Sequence, residues 1–110
     1  MPLIAATPPP PHYAVIFTSL KSPEDDGYGE MADRMVERVA QQKGFLGFES
    51  AREGVGITVS YWRDEASIGK WKADMDHREA QKQGREKWYE AYTIRIAKVE
   101  HTYSFLAETS

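Results

Sequence analysis

The stretch 62-WRDEASIGKWKADMDHREAQKQGREKWYEAY-92 decides how this chain folds. It holds all three tryptophans, one histidine (His77) and the tyrosines Tyr89 and Tyr92. Asp64 can cap a helix in which Ile68, Trp71 and Met75 fall at i, i+3, i+7 and share one face. A second series, His77, Ala80/Gln81, Gly84 and Trp88, repeats at the same helical spacing. On one straight helix the two stripes would not coincide, because the step from Trp71 to His77 turns the chain by about 240°. A bend or break near Asp74 to Asp76 would let both stripes face one sheet. Trp71, His77 and Trp88 would then surround a common space.

Outward from this stretch the chain reads as strands. Upstream, VGITVSYW (55–62) and Phe45 to Arg52 form two strands around Glu53-Gly54, a tight hairpin. In the second of them Ile57, Val59 and Tyr61 share one face, and Thr58, Ser60 and Trp62 the other. Downstream, Tyr92 to Phe105 reads as a strand of unusual length, with a shift of apolar phase that a bulge near Ala97-Lys98 would cause. Such a strand should reach past its own sheet and pair with another chain. Further upstream, Tyr28 to Gln42 is an amphipathic helix with Met31, Met35, Val36 and Val39 on its apolar face, stopped by Gly44. Tyr13 to Leu20 is the first strand, with Val15, Phe17 and Ser19 on one side and Ile16, Thr18 and Leu20 on the other. The order is β-α-β-β-α(α)-β. It predicts an α+β, ferredoxin-like split βαβ sandwich with an antiparallel sheet. Helices cover one face of such a sheet. The other is expected to carry Ile16, Thr18, Leu20 and Trp62, an apolar surface that calls for a second copy.

At 110 residues the chain is long enough for one core and too short for two. Residues 1–12 read as a Pro-rich arm that includes His12, 13–106 as the folded domain and 107–110 as a tail. Net charge is −3 and no Lys/Arg cluster compensates, so nucleic-acid binding is disfavoured. The absence of cysteine excludes disulfides and thiolate metal sites and fits a cytoplasmic protein. No apolar run is long enough for a membrane span, and Met1 to Thr7 does not read as a signal peptide.

VGITVSYW, the helix carrying Trp71, the segment MDHREAQKQGREKWYE and the long last strand resemble the antibiotic-biosynthesis-monooxygenase-like family. The resemblance spans about Tyr13 to Phe105. It implies a dimeric α/β barrel, and within the family there are cofactor-independent monooxygenases of polycyclic aromatics, quinol monooxygenases and haem-degrading enzymes. Trp71 matches the helix tryptophan of the haem-degrading branch. That branch carries its haem-ligating histidine ten residues later, where this chain has Gln81, and an asparagine on the first strand, where this chain has none. Haem degradation is therefore disfavoured.

The chemistry expected is a cofactor-independent oxygenation of an aromatic or quinol-type small molecule. His77 titrates near neutrality and can be the general base. Arg85 can stabilise the resulting anion. Phe17, Tyr61, Trp71, Trp88 and Tyr92 can wall the substrate. No cofactor and no metal is expected, since His12, His77 and His101 lack ligand spacing. Two rivals stand beside this reading. A non-catalytic homodimer of the same fold could bind a small apolar ligand. An RNA-recognition module shares the topology, but its third strand should carry basic and aromatic residues where this one reads VGITVSYW.

Overall fold

A computed structural model of the chain describes residues 3–23, 27–76 and 88–107. Four strands and two helices follow in the order β1 (His12–Lys21), α1 (Tyr28–Val39), β2 (Phe45–Glu53), β3 (Val55–Trp62), α2 (Glu65–Asp76) and β4 (Tyr89–Val99). The strands make one sheet in the order β2-β3-β1-β4, and every neighbouring pair is antiparallel. This is the expected α+β ferredoxin-like arrangement. Gly54 turns the β2–β3 hairpin at φ 80°, a left-handed backbone that a side chain would strain.

The register assigns the two sheet faces. Phe45, Phe48, Ser50 and Arg52 of β2 share a face with Gly56, Thr58, Ser60 and Trp62 of β3. Val15, Phe17 and Ser19 of β1, then Tyr92, Ile94 and Ile96 of β4, continue the same face. This is the side the helices cover, because Trp62 stacks on Trp71 of α2 and Tyr28 of α1 meets Tyr89 of β4. Trp62 is completely buried, and its indole N–H donates to Ser60 Oγ at 2.9 Å. The expectation that Trp62 lies on the bare face is thus corrected: Tyr61 stands there instead. An indole that size gains most where both sheet and helix cover it.

α2 starts as its sequence predicts. Asp64 Oδ1 accepts the backbone N–H of Ser67 at 2.8 Å, and Ile68 is buried. The helix ends at Asp76, where the bend was expected; the proposed second stripe lies outside the described residues apart from Trp88. α1 is shorter than expected. Its apolar stripe ends at Val39, so nothing draws residues 40–43 toward the core. They make tight turns instead, with Gln41 N–H on the Arg38 carbonyl and Gln42 N–H on that of Val39.

β4 differs most from expectation. It begins at Tyr89 and stops at Val99, where its partner β1 ends at His12. Beyond that point the single chain offers no strand to pair with, and Tyr103, Phe105 and Leu106 are almost fully exposed. The irregularity also sits elsewhere. It falls between the Leu20–Ala91 and Lys21–Tyr89 pairs rather than at Ala97-Lys98. The extra residue, Glu90, lets Tyr89 and Tyr92 occupy the same face.

The N-terminal arm is not detached. A Cβ on Gly47 would stand 3.4 Å from Ala5, and Gly47 pairs with Tyr61 on the side away from the helices. His12 and Ala14 on that side are buried (1% and 5% exposed), which marks the arm's footprint. His12 is therefore a residue of β1, edge-on to Tyr61 at 5.8 Å, and not part of a free leader.

Candidate functional site

Two aromatic clusters line the space between sheet and helices. The first joins Trp62 to Phe45 at 5.4 Å and to Trp71 at 6.3 Å, with Phe48 beside Phe45. The second is built on β1 and β4, where Phe17 meets Tyr92 at 5.3 Å and Tyr89 at 5.5 Å. Tyr28, at the first turn of α1, closes it against Tyr89 at 6.0 Å and Trp88 at 6.3 Å. The Ser22 backbone N–H donates to the Trp88 carbonyl at 2.8 Å, tying the end of β1 to the start of β4.

The expected site residues therefore divide. Phe17, Tyr92 and Trp88 come together in the second cluster. Trp71 sits in the first. Tyr61 lies on the opposite face of the sheet and belongs to neither; burial raises its pKa, as do a hydrogen bond from its hydroxyl to Glu49 and the nearby Glu49 charge. His77 and Arg85 lie outside the described residues.

The polar end of the second cluster was not anticipated. Tyr89 Oη donates to Tyr28 Oη at 3.5 Å, and Lys21 Nζ stands 4.9 Å over the Tyr28 ring. Burial, first, and the Tyr28 hydroxyl, second, push the Tyr89 phenol well above its ordinary pKa, against a smaller opposing pull from Arg52. At neutral pH Tyr89 is thus a hydrogen-bond donor and not a base. Arg52 reaches inward from β2 and donates to Ser19 Oγ at 2.6 Å. The sequence held two signals for this end. A three-residue step from Tyr89 to Tyr92 shares a face only across a bulge, and a glycine inside a strand marks a close approach, here Gly56 beneath Arg52. Among the described residues no three His, Asp or Glu side chains cluster to hold a metal ion, and no helix is long and apolar enough to cross a membrane.

Residues 11–83 match the antibiotic biosynthesis monooxygenase family. The chain belongs to this family. It is 50% identical over its full length to the uncharacterized protein YqjZ of Bacillus subtilis, covering 98% of that protein. It is 33% identical over 79% of its length to the jasmonate monooxygenase ABM of Pyricularia oryzae, of which it spans 43%, under half. Among solved structures it resembles SnoaB, a cofactor-independent oxygenase from Streptomyces nogalater, with a TM-score of 0.71 and 12% identity over 84% of this chain and 97% of that one. Rv0793 from Mycobacterium tuberculosis aligns with a TM-score of 0.66 and 14% identity over 90% of this chain and 99% of that one. At these identities the structural matches establish the fold, which is that of monooxygenase-like family members.

Proposed function

We propose that this protein is a monooxygenase that takes an aromatic or quinol-type small molecule between its sheet and helices and needs no tightly bound cofactor. The observation that carries this reading is the aromatic lining of that space, with phenol hydroxyls held protonated at one end. Family membership and the names of the jasmonate monooxygenase and SnoaB support the reaction class.

Without a cofactor the substrate must supply every electron. A quinol satisfies this condition: quinol plus O2 gives a hydroxyquinone plus water, one oxygen atom entering the ring and the other leaving as water. His77 is the proposed base that removes the phenolic proton, after which the electron-rich anion reduces O2. Arg85 is the proposed partner of that anion. Phe17, Tyr92, Trp88 and Trp71 are the proposed walls, and Tyr61, on the far face, is not one. The protein works as a homodimer in this reading, because Leu20, Val55 and Ile57 leave an apolar surface on the open face of the sheet.

Oxygen uptake with a panel of phenols and quinols tests the proposal. Turnover is expected with at least one quinol, and His77→Ala should lower it by about 100-fold or more at unchanged mass in light scattering. Equal turnover in that variant removes His77 from the mechanism. No uptake with any member of the panel sinks the oxygenase reading and leaves ligand binding without turnover.

A further inference from the structure

One row of residues crosses the helix-facing side of the sheet: Arg52 on β2, Gly56 on β3, Ser19 on β1 and Tyr92 on β4, each the register partner of the next. An arginine on an edge strand ordinarily runs out to solvent. Here Arg52 lies along the row instead, and its guanidinium reaches past β3 to Ser19 Oγ at 2.6 Å. Gly56 makes this possible. Its φ is not in the left-handed range, so the backbone does not require glycine. The space does, because a Cβ there would collide with the guanidinium Cζ, Nη2 and Nε of Arg52.

The arrangement leaves a cation with donors to spare. Ser19 is 2% exposed, and its hydroxyl anchors one N–H of Arg52. A guanidinium has five N–H donors. Among the described residues no carboxylate pairs with it: Glu49 and Glu53 of its own strand face the other side of the sheet. Arg52 itself remains exposed, so a ligand can reach it. Beside it the Tyr89 and Tyr28 hydroxyls meet, with Lys21 over the Tyr28 ring. Two cations and two phenol hydroxyls therefore stand at one end of an otherwise aromatic wall made by Phe17 and Tyr92. A carboxylate matches that end best, since it accepts only and fits the two parallel N–H groups of a guanidinium. A neutral phenol would make one ordinary hydrogen bond there.

We propose that Arg52, laid over Gly56 and anchored on Ser19, recognises a carboxylate, and that the preferred ligand is an aromatic carboxylic acid. The inference rests on the reading that ligands enter between sheet and helices. Calorimetric titration with 1-naphthoate and 1-naphthol, which share a ring system, tests the two separately. Naphthoate should bind the wild type about tenfold or more tightly than naphthol. Arg52→Met should remove that preference and leave naphthol within about twofold of its wild-type affinity. Gly56→Ala should act in the same direction, because its methyl takes the guanidinium's place. Should the methionine variant not fold by circular dichroism, Arg52→Gln serves instead. Equal binding of both probes to the wild type overturns carboxylate recognition and leaves the ligand space intact. So does a loss in Arg52→Met that is equal for both probes. Failure of both probes to bind overturns the ligand space and the carboxylate site together.

Discussion

Burial and a single bond to another phenol make the Tyr89 hydroxyl reluctant to ionise. Unfolded, the same group ionises near pH 10. Above that pH the unfolded chain releases a proton that the folded chain keeps, so stability falls as pH rises through about 10. Below it the contribution is constant. Thermal melts between about pH 9 and 11 should therefore decline less steeply for Tyr89→Phe than for the wild type. Parallel declines would mean that Tyr89 ionises normally in the fold. Single residues were also where the sequence was hardest to read. Strand alternation separated Tyr61 from Trp62 correctly, but nothing in an alternating pattern says which set the helices cover. Both sets are apolar here, so Trp62 was expected on the wrong side and Tyr61 was taken for a wall. Arg52 was passed over for a related reason. An arginine near a hairpin reads as solvated, and only the register that sets it against Gly56 turns it inward.

Elements were more legible where their signals are local. The Asp64 cap, the Glu53-Gly54 hairpin and the whole of β3 can be read from a few adjacent residues, and they stand where the sequence placed them. Ends that depend on a distant partner were not legible. β4 stops at Val99 because β1 does, and no residue within Glu100 to Phe105 announces that stop. The arm is the same problem reversed, since four prolines describe its stiffness and not its destination. Its contact at Gly47 and the burial of His12 and Ala14 give it a packing role that can be measured. Deleting residues 1–9 uncovers the Tyr61 end of the open face. The melting temperature should fall by about 4–8 °C, the shift that 1 kcal/mol produces in a small domain. An unchanged melting temperature would mean that the arm contributes nothing to the fold.

The molecule as a whole leaves one side unfinished. The βαββαβ order puts both helices on one face of the sheet, and the arm covers only the His12 end of the other. At the opposite end Leu20, Val55 and Ile57 are about half exposed. They adjoin a shallow hollow of about 310 Å3 lined by Thr18, Leu20, Val55, Ala91 and Thr93. A second copy seated there by a two-fold axis would bury these residues against their own counterparts, and a stable interface needs about 800 Å2 from each partner. Residues 100–107, which carry Tyr103, Phe105 and Leu106 into solvent, would add surface to the same contact. Ile57 separates dimerisation from folding, because it is 44% exposed and a lysine there disturbs no core. Ile57→Lys would set two like charges facing each other across the axis and should turn a dimer into a monomer in light scattering. Its circular dichroism spectrum should not change. A chain ending at Glu100 should shift toward monomer in the same assay. If Ile57→Lys remains a dimer, the second copy does not bind through the open face. If the wild type is itself a monomer at about 10 μM, where even a micromolar interface would be mostly assembled, the apolar face has no second copy on it.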